Sequence, residues 1–240
     1  ANNLALNAYA TDSASNANLV QEESFTIHGL LGSKTLTTTA GSTIRDVATL
    51  VNNAFETTGV NALASTQLKI EAKAFGSDNT GLNSVAFTIQ GKNATATAVS
   101  ANINFGTTTG TSDLSALRDA VNNYSTTTGI TATLSADATN IILVQNEGYD
   151  IKLGDVDFAG DTAATGTRKA LVVTSLDNDE ATAGSSVMLS DKAAVTTDTD
   201  DVVASASGTA ATAMSLNTSG KASTTAAASI AASQAGGGFT

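Results

Sequence analysis

Cysteine and proline are both absent from this chain of 240 residues. Without cysteine there is no disulfide framework, no thiol nucleophile and no thiolate ligand for a metal. Without proline there is no X–Pro bond whose slow isomerisation would delay refolding. Aromatic residues are only 4% of the chain, and none lies between Phe158 and Phe239, so packed cores are expected mainly in the first two-thirds. Lysine and arginine number 11 against 22 aspartates and glutamates, for a net charge of −11. Phosphate binding needs clustered basic side chains, and here they are few and scattered, so nucleic acid is not an expected partner. No apolar run reaches the roughly 18 residues a membrane helix needs, so no membrane insertion is expected. The first residues also lack the charged start and apolar core of a signal peptide.

What the chain does have is a stretch that occurs twice. Ser42-Thr43-Ile44-Arg45-Asp46-Val47-Ala48-Thr49-Leu50-Val51-Asn52-Asn53 runs on to Thr58-Gly59-Val60. Seventy residues later Ser112-Asp113-Leu114-Ser115-Ala116-Leu117-Arg118-Asp119-Ala120-Val121-Asn122-Asn123 leads to Thr128-Gly129-Ile130. Each copy follows a matching segment, Phe25-Thr26-Ile27-His28-Gly29 or Phe87-Thr88-Ile89-Gln90-Gly91. These segments are 62 residues apart, so the second copy carries eight extra residues before its helix. The inserted Val99, Ile103 and Phe105 suggest an added strand.

Helical spacing puts Ile44, Val47, Val51 and Phe55 on one stripe, and Leu114, Leu117, Val121 and Tyr124 on another, leaving Arg45, Asp46, Asn52 and Asn53 near solvent. Ser42 or Thr43, and Ser112 or Asp113, are candidate N-caps, and Gly59 and Gly129 stop the helices in the left-handed conformation. Period-two alternation then predicts strands from Val60 and Ile130. Each copy reads as a strand, a loop or hairpin, one short helix and a strand. A helix of about three turns is marginal alone and must lay its stripe on a sheet.

Phe25, Thr26, Ile27, Gly29, Val51, Asn52, Asn53, Gly59 and Val60, with Phe87, Thr88, Ile89, Gly91, Val121, Asn122, Asn123, Gly129 and Ile130, form a pattern that resembles the flagellin insertion motif. That motif belongs to the outer domains of bacterial flagellins and of some hook-associated and cap proteins. His28 and Gln90 stand where the family often has Asn. The resemblance covers roughly residues 25–155. It implies a secreted, extracellular structural protein of the bacterial flagellum, with the helical assembly domains lying outside this sequence. It also implies that other flagellin subunits are the partners, through those domains. Absence of cysteine fits passage of an unfolded chain through a narrow export channel.

The expected fold class is α+β, with two small sheet-plus-one-helix modules in tandem followed by a mostly β region. The expected boundaries are 1–20 for an incoming strand or linker, 21–78 and 79–160 for the modules, 161–205 for a small β-rich region, and 206–240 for a low-complexity return segment. Leu68 and Ile70 suggest a strand that closes the first module. Ile141-Ile142-Leu143-Val144 reads as a buried strand, with a hairpin through Asn146-Glu147-Gly148 into Tyr149, Ile151 and Leu153. Ala170–Val173 and Ser186–Leu189 read as short strands.

No catalytic constellation is expected. The single histidine, His28, has no partner ligands in sequence and reads as a strand residue. No Gly-x-Ser-x-Gly elbow and no phosphate loop is present. The acidic groups Asp150/Asp155/Asp157, Asp177/Asp179/Glu180 and Asp198/Asp200/Asp201 carry oxygen ligands of the kind Ca²⁺ takes, with Asp177, Asp179 and Glu180 the best placed. None fits the twelve-residue calcium loop, and solvated turns explain them as well. Asn93-Ala94-Thr95, Asn123-Tyr124-Ser125 and Asn217-Thr218-Ser219 fit the N-glycosylation triplet. The resemblance implies O-glycosylation instead, with threonines 37–39, 107–109 and 126–128 as candidates.

The sequence reading is therefore a non-enzymatic structural protein without a cofactor: the outer domains of a flagellin, decorating a motility filament and forming its antigenic face. Two alternatives stand beside it. One is the outer domain of a cap or hook-associated protein. The other is an adhesin-like module binding host or environmental glycans, although a glycan site wants exposed aromatics and most of those here sit at core-facing positions.

Overall fold

The computed structural model describes residues 7–9, 22–75, 81–106, 111–159, 168–175, 186–189, 203–204, 215–217 and 230–232. Its strands are β1 (Asn7–Tyr9), β2 (Ser24–His28), β3 (Ser33–Thr37), β4 (Thr66–Phe75), β5 (Gly81–Gln90), β6 (Thr97–Phe105), β7 (Ile130–Leu134), β8 (Asn140–Gln145), β9 (Ile151–Phe158), β10 (Arg168–Ser175), β11 (Ser186–Leu189), β12 (Val203–Ala204), β13 (Ser215–Asn217) and β14 (Ile230–Ala232). Its helices are α1 (Ile44–Asn52), α2 (Phe55–Thr58), α3 (Ser115–Asn122) and α4 (Ser125–Thr128). The fold is α+β and mostly β.

Two six-stranded sheets carry the larger core. One runs β1-β13-β9-β5-β6, with β14 also on β9; the other runs β12-β11-β10-β4-β8-β7. Alternation decides what each strand contributes. In β4, Leu68, Ile70, Ala72 and Ala74 are buried, while Lys69 and Glu71 take the other face and pair at 3.0 Å. In β5 the buried set is Val85, Phe87 and Ile89; in β6 it is Val99, Ala101, Ile103 and Phe105. Phe105 and Phe158 meet edge to face with ring centroids 5.7 Å apart, a favoured aromatic geometry. Helix α3 packs on β6 and β7, the edge strands of the two sheets. Leu114, Leu117 and Val121 drive it there, all fully buried in the same cluster. Each such side chain contributes on the order of 1.5–3 kcal/mol of transfer free energy.

The first copy makes a second, smaller core. A two-stranded hairpin of β2 and β3 holds α1 and α2 around Leu36, Val51, Ala54 and Ala62, with Phe25, Ile27, Ala48, Leu50 and Val60 half-buried at its margin. We refer to this as unit one and to the larger body as unit two.

Several expectations change. Phe55 and Tyr124 do not join the helical stripes: α1 and α3 stop before them, so Phe55 opens α2 and Tyr124 is the N-cap of α4, 46% and 40% exposed. Ile44 and Val47 are only half-buried. Val99, Ile103 and Phe105 form the expected strand, β6, which pairs with β5 as β3 pairs with β2, so the inserted residues lengthen the hairpin of the second copy. Strand β4, expected to close the first module, is paired with β8 and β10 and lies in the larger core. Strands β10 and β11, expected in a separate β region, extend that same sheet, with Leu171, Val173 and Leu189 in its core. The segment from Asn146 is a corner and no hairpin, because β8 and β9 belong to different sheets. Gln145 makes the corner: its side-chain Oε1 accepts from the amides of Glu147 and Tyr149, both at 2.9 Å. No helix among the described residues is long and apolar enough to cross a membrane.

Candidate functional site

The residues shared by the two copies converge on one small junction, built twice. At its centre is an asparagine on the last turn of the main helix. Asn52 Nδ2 donates to the Ala62 carbonyl at 3.0 Å, and its Oδ1 accepts from the Ala62 amide at 2.7 Å. Asn122 does the same to Ala132 at 2.9 and 2.8 Å. A carboxamide has one donor side and one acceptor side, so it satisfies an extended residue as a neighbouring strand would. This is the physical reason for asparagine at both positions, which face the following strand as well as solvent.

A threonine and a glycine complete the turn. Thr58 Oγ1 donates to the Ala54 carbonyl at 3.0 Å and accepts from the Val60 amide at 3.2 Å. Thr128 Oγ1 repeats this with Tyr124 at 3.0 Å and Ile130 at 3.1 Å. Gly59 and Gly129 follow with φ of 71° and 70°, the left-handed region in which glycine carries no Cβ penalty. The carbonyls of Thr58 and Thr128 then receive the amides of Leu31 and Lys92, at 3.3 and 2.9 Å. These bonds bring the helix end against the close of the first strand, where Gly29 and Gly91 leave room for it. A Cβ on Gly29 would lie 1.9 Å from the Thr58 oxygen, and one on Gly91 2.3 Å from that of Thr128. Both junctions therefore need the same residue types for the same contacts.

The helix starts differ. In unit one, Thr43 and Asp46 form a reciprocal capping box: the Asp46 amide reaches Thr43 Oγ1 at 3.2 Å and the Thr43 amide reaches Asp46 Oδ2 at 2.9 Å. In unit two neither expected candidate caps α3: the N-cap is Leu114, whose side chain makes no cap bond, and Asp113 one residue earlier accepts from the Ser115 hydroxyl at 2.6 Å and the Ser115 amide at 2.9 Å. Ser112 turns inward and donates to the Ala72 carbonyl at 3.1 Å. The Ser115 hydroxyl and amide hold the Asp113 carboxyl below its ordinary range, with Arg118 adding to this and slight burial opposing it. A depressed folded value means a contribution that is full above the ordinary aspartate value, about 4, and is lost as pH falls from there through the lower folded value. The melting-temperature gap between the native chain and Asp113→Asn is therefore expected to be largest near neutrality and to close on acidification, read by circular dichroism.

Among the described residues, Arg45 joins the two units. The Arg45 amide donates to the Gly148 carbonyl at 3.1 Å. The Arg45 guanidinium lies over the Tyr149 ring, 4.5 Å from its centroid, and donates to the Tyr149 hydroxyl. Sequence periodicity gives no hint of this, because the partners lie 104 residues apart and have no counterpart in the other copy. Thr58 and Thr128 could have been found from the repeat, since both copies carry them before glycine.

The other sequence candidates do not gather. His28 is an exposed residue at the end of β2. Asp177, Asp179 and Glu180 lie outside the described residues, as do Asp198, Asp200 and Asp201. Asp150 is buried, whereas Asp157 is exposed on β9. Among the described residues no group of three or more His, Cys, Asp or Glu side chains is placed to hold a metal ion. Asn93, in a glycosylation triplet, is engaged in its own turn: Oδ1 accepts from the Gly91 amide at 2.8 Å and Nδ2 donates to the Thr95 carbonyl at 2.6 Å. Thr37, Thr39, Thr126 and Thr127 are exposed, Thr38 and Thr128 are buried, and threonines 107–109 lie outside the described residues. No protein-family model matches the chain, and no curated protein matches it either.

Replacing the junction asparagines tests the account. Removing either side chain strands an amide and a carbonyl, which costs about 1–3 kcal/mol when the groups are buried. Asn122→Ala is expected near the upper end, because it is partly buried, and Asn52→Ala near the lower end, because it is exposed. Urea denaturation of the two variants measures the difference.

Proposed function

We propose that this chain is the surface-exposed outer portion of a bacterial flagellin, carried on the outside of the flagellar filament. The observation that supports this most is the doubled junction. Among the residues through which the chain resembles the flagellin insertion motif, Gly29 and Gly91, Asn52 and Asn122, and Gly59 and Gly129 make matched contacts or turns in both units. The role is structural. Unit one and unit two form a decorated surface with a net charge of −11 for the chain, and like charge keeps neighbouring filaments apart. Polymerisation belongs to assembly domains outside this sequence, through which other flagellin subunits are the partners.

The experiment is immunogold labelling of cells of the source bacterium, with antibodies raised against this chain and the intact mass of the labelled protein measured in parallel. Gold along the whole filament, on a protein well above 23.9 kDa, is the expected result. Gold only at the filament tip or the hook junction would transfer the reading to a cap or hook-associated protein. Gold on the cell body and none on flagella would overturn it in favour of an adhesin.

A further inference from the structure

Matched strands of the two units have different neighbours. In unit two, β5 is paired on both edges, with β6 on one side and β9 on the other. In unit one the corresponding strand, β2, is paired with β3 alone among the described residues. The side chains register the difference: Phe87 and Ile89 are buried, while their counterparts Phe25 and Ile27 are only half-buried.

The ladder shows which groups the open edge presents. The Gly29 amide bonds to Gly32 and the Thr38 amide to Glu23, at 2.8 and 2.9 Å. Alternation along an antiparallel pair then turns the backbone of Phe25 and Ile27 towards β3 and leaves that of Ser24, Thr26 and His28 pointing outward. Natural edges are commonly guarded by charge, proline or a bulge. Ser24-Phe25-Thr26-Ile27-His28 has no acidic side chain, lysine, arginine or proline, and its register with β3 is unbroken.

The edge is also complementary to itself. When a second β2 runs antiparallel with Thr26 on the two-fold axis, Ser24 meets His28 and Thr26 meets Thr26. All of these are outward-facing residues, so the pairing forms about six backbone hydrogen bonds. Phe25 then stands opposite Ile27 in the closely spaced, non-bonded position, an aromatic on a β-branched residue, which is a stabilising cross-strand pair. Glu23 falls opposite Gly29, away from any other acid. We propose that β2 is the edge through which two copies of this chain associate, joining their hairpins into one four-stranded sheet ordered β3-β2-β2-β3. The proposal rests on the strand edge and is independent of the flagellin reading.

A contact of this size is below the roughly 1,200 Å² of a standard interface, so association is weak and appears at high concentration. Sedimentation equilibrium from about 10 μM to about 1 mM spans the range for such a contact. The weight-average mass is expected to climb from 23.9 kDa towards twice that value. Hydrogen exchange over the same series should slow several-fold at the Ser24, Thr26 and His28 amides and stay constant at Phe25 and Ile27. Thr26→Lys sets like charges face to face at the axis and should abolish both effects, and Thr26→Pro should do so by removing the outward N–H. Either variant should melt close to the dilute native chain, because the hairpin ladder keeps its backbone bonds and only the exposed Thr26–Thr35 hydroxyl contact at 2.8 Å is lost. A mass that stays at 23.9 kDa throughout, association that survives Thr26→Lys, or protection arising at other residues would overturn the proposal.

Discussion

Val121→Asp is expected to leave the large unit unfolded at room temperature. Val121 is fully buried on α3, in the cluster that holds both six-stranded sheets together. A carboxylate there has no partner, and an unpaired buried charge costs more than 4 kcal/mol, a large part of the stability of a domain this size. The matched change, Val51→Asp, should act differently. Val51 is equally buried, but its cluster has four buried members and a half-open margin. Unit one is expected to unfold while β4 to β11 keep their two sheets, so the far-ultraviolet melt should retain most of its amplitude. Loss of the whole transition in Val51→Asp, or its survival in Val121→Asp, would contradict this division of the core.

Gly91→Ala is the second large effect expected, and its cause is contact and not backbone strain. Gly91 does not need a left-handed conformation. Its added Cβ would sit 2.3 Å from the Thr128 carbonyl oxygen and 3.0 Å from two carbons of Ile130. The oxygen cannot retreat without breaking its bond from the Lys92 amide, and Ile130 is wedged in the core. A loss of about 2–4 kcal/mol is expected, in the range of severe overpacking. In unit one, Gly29→Ala meets the Thr58 oxygen at 1.9 Å, yet the helix end there faces a half-buried margin and can shift. Denaturant midpoints of the two alanine variants should therefore differ, with Gly91→Ala the lower.

The repeat made most of the two junctions legible before any coordinates. Identical residues at matched positions mark Gly29 and Gly91, Asn52 and Asn122, and Gly59 and Gly129, and each proved to have a matched contact. The strand and helix types followed from period, as in β4, β8 and α3. What period could not supply was partnership. Nothing local distinguishes a strand that closes its own unit from one that crosses to the next. Leu68 and Ile70 alternate the same way in either case, and their pairing with β8 and β10 is settled by residues far along the chain. The stripes also ran past the helices, to Phe55 and Tyr124, since α1 ends at Asn52 and α3 at Asn122. The proposed function rests on a resemblance.

The pairing of β4 with β10 has a kinetic consequence. Leu68 to Phe75 bond to residues about a hundred positions later in the chain. Rates of folding fall as contacting residues become more distant in sequence, because loop closure must precede the reward. Unit one needs mostly neighbours within residues 22–62, whereas the large core cannot seal until β10 is present. A chain emerging amino end first is therefore expected to fold in two phases: unit one quickly, on its own residues, and the larger core slowly, once β10 and β11 have appeared.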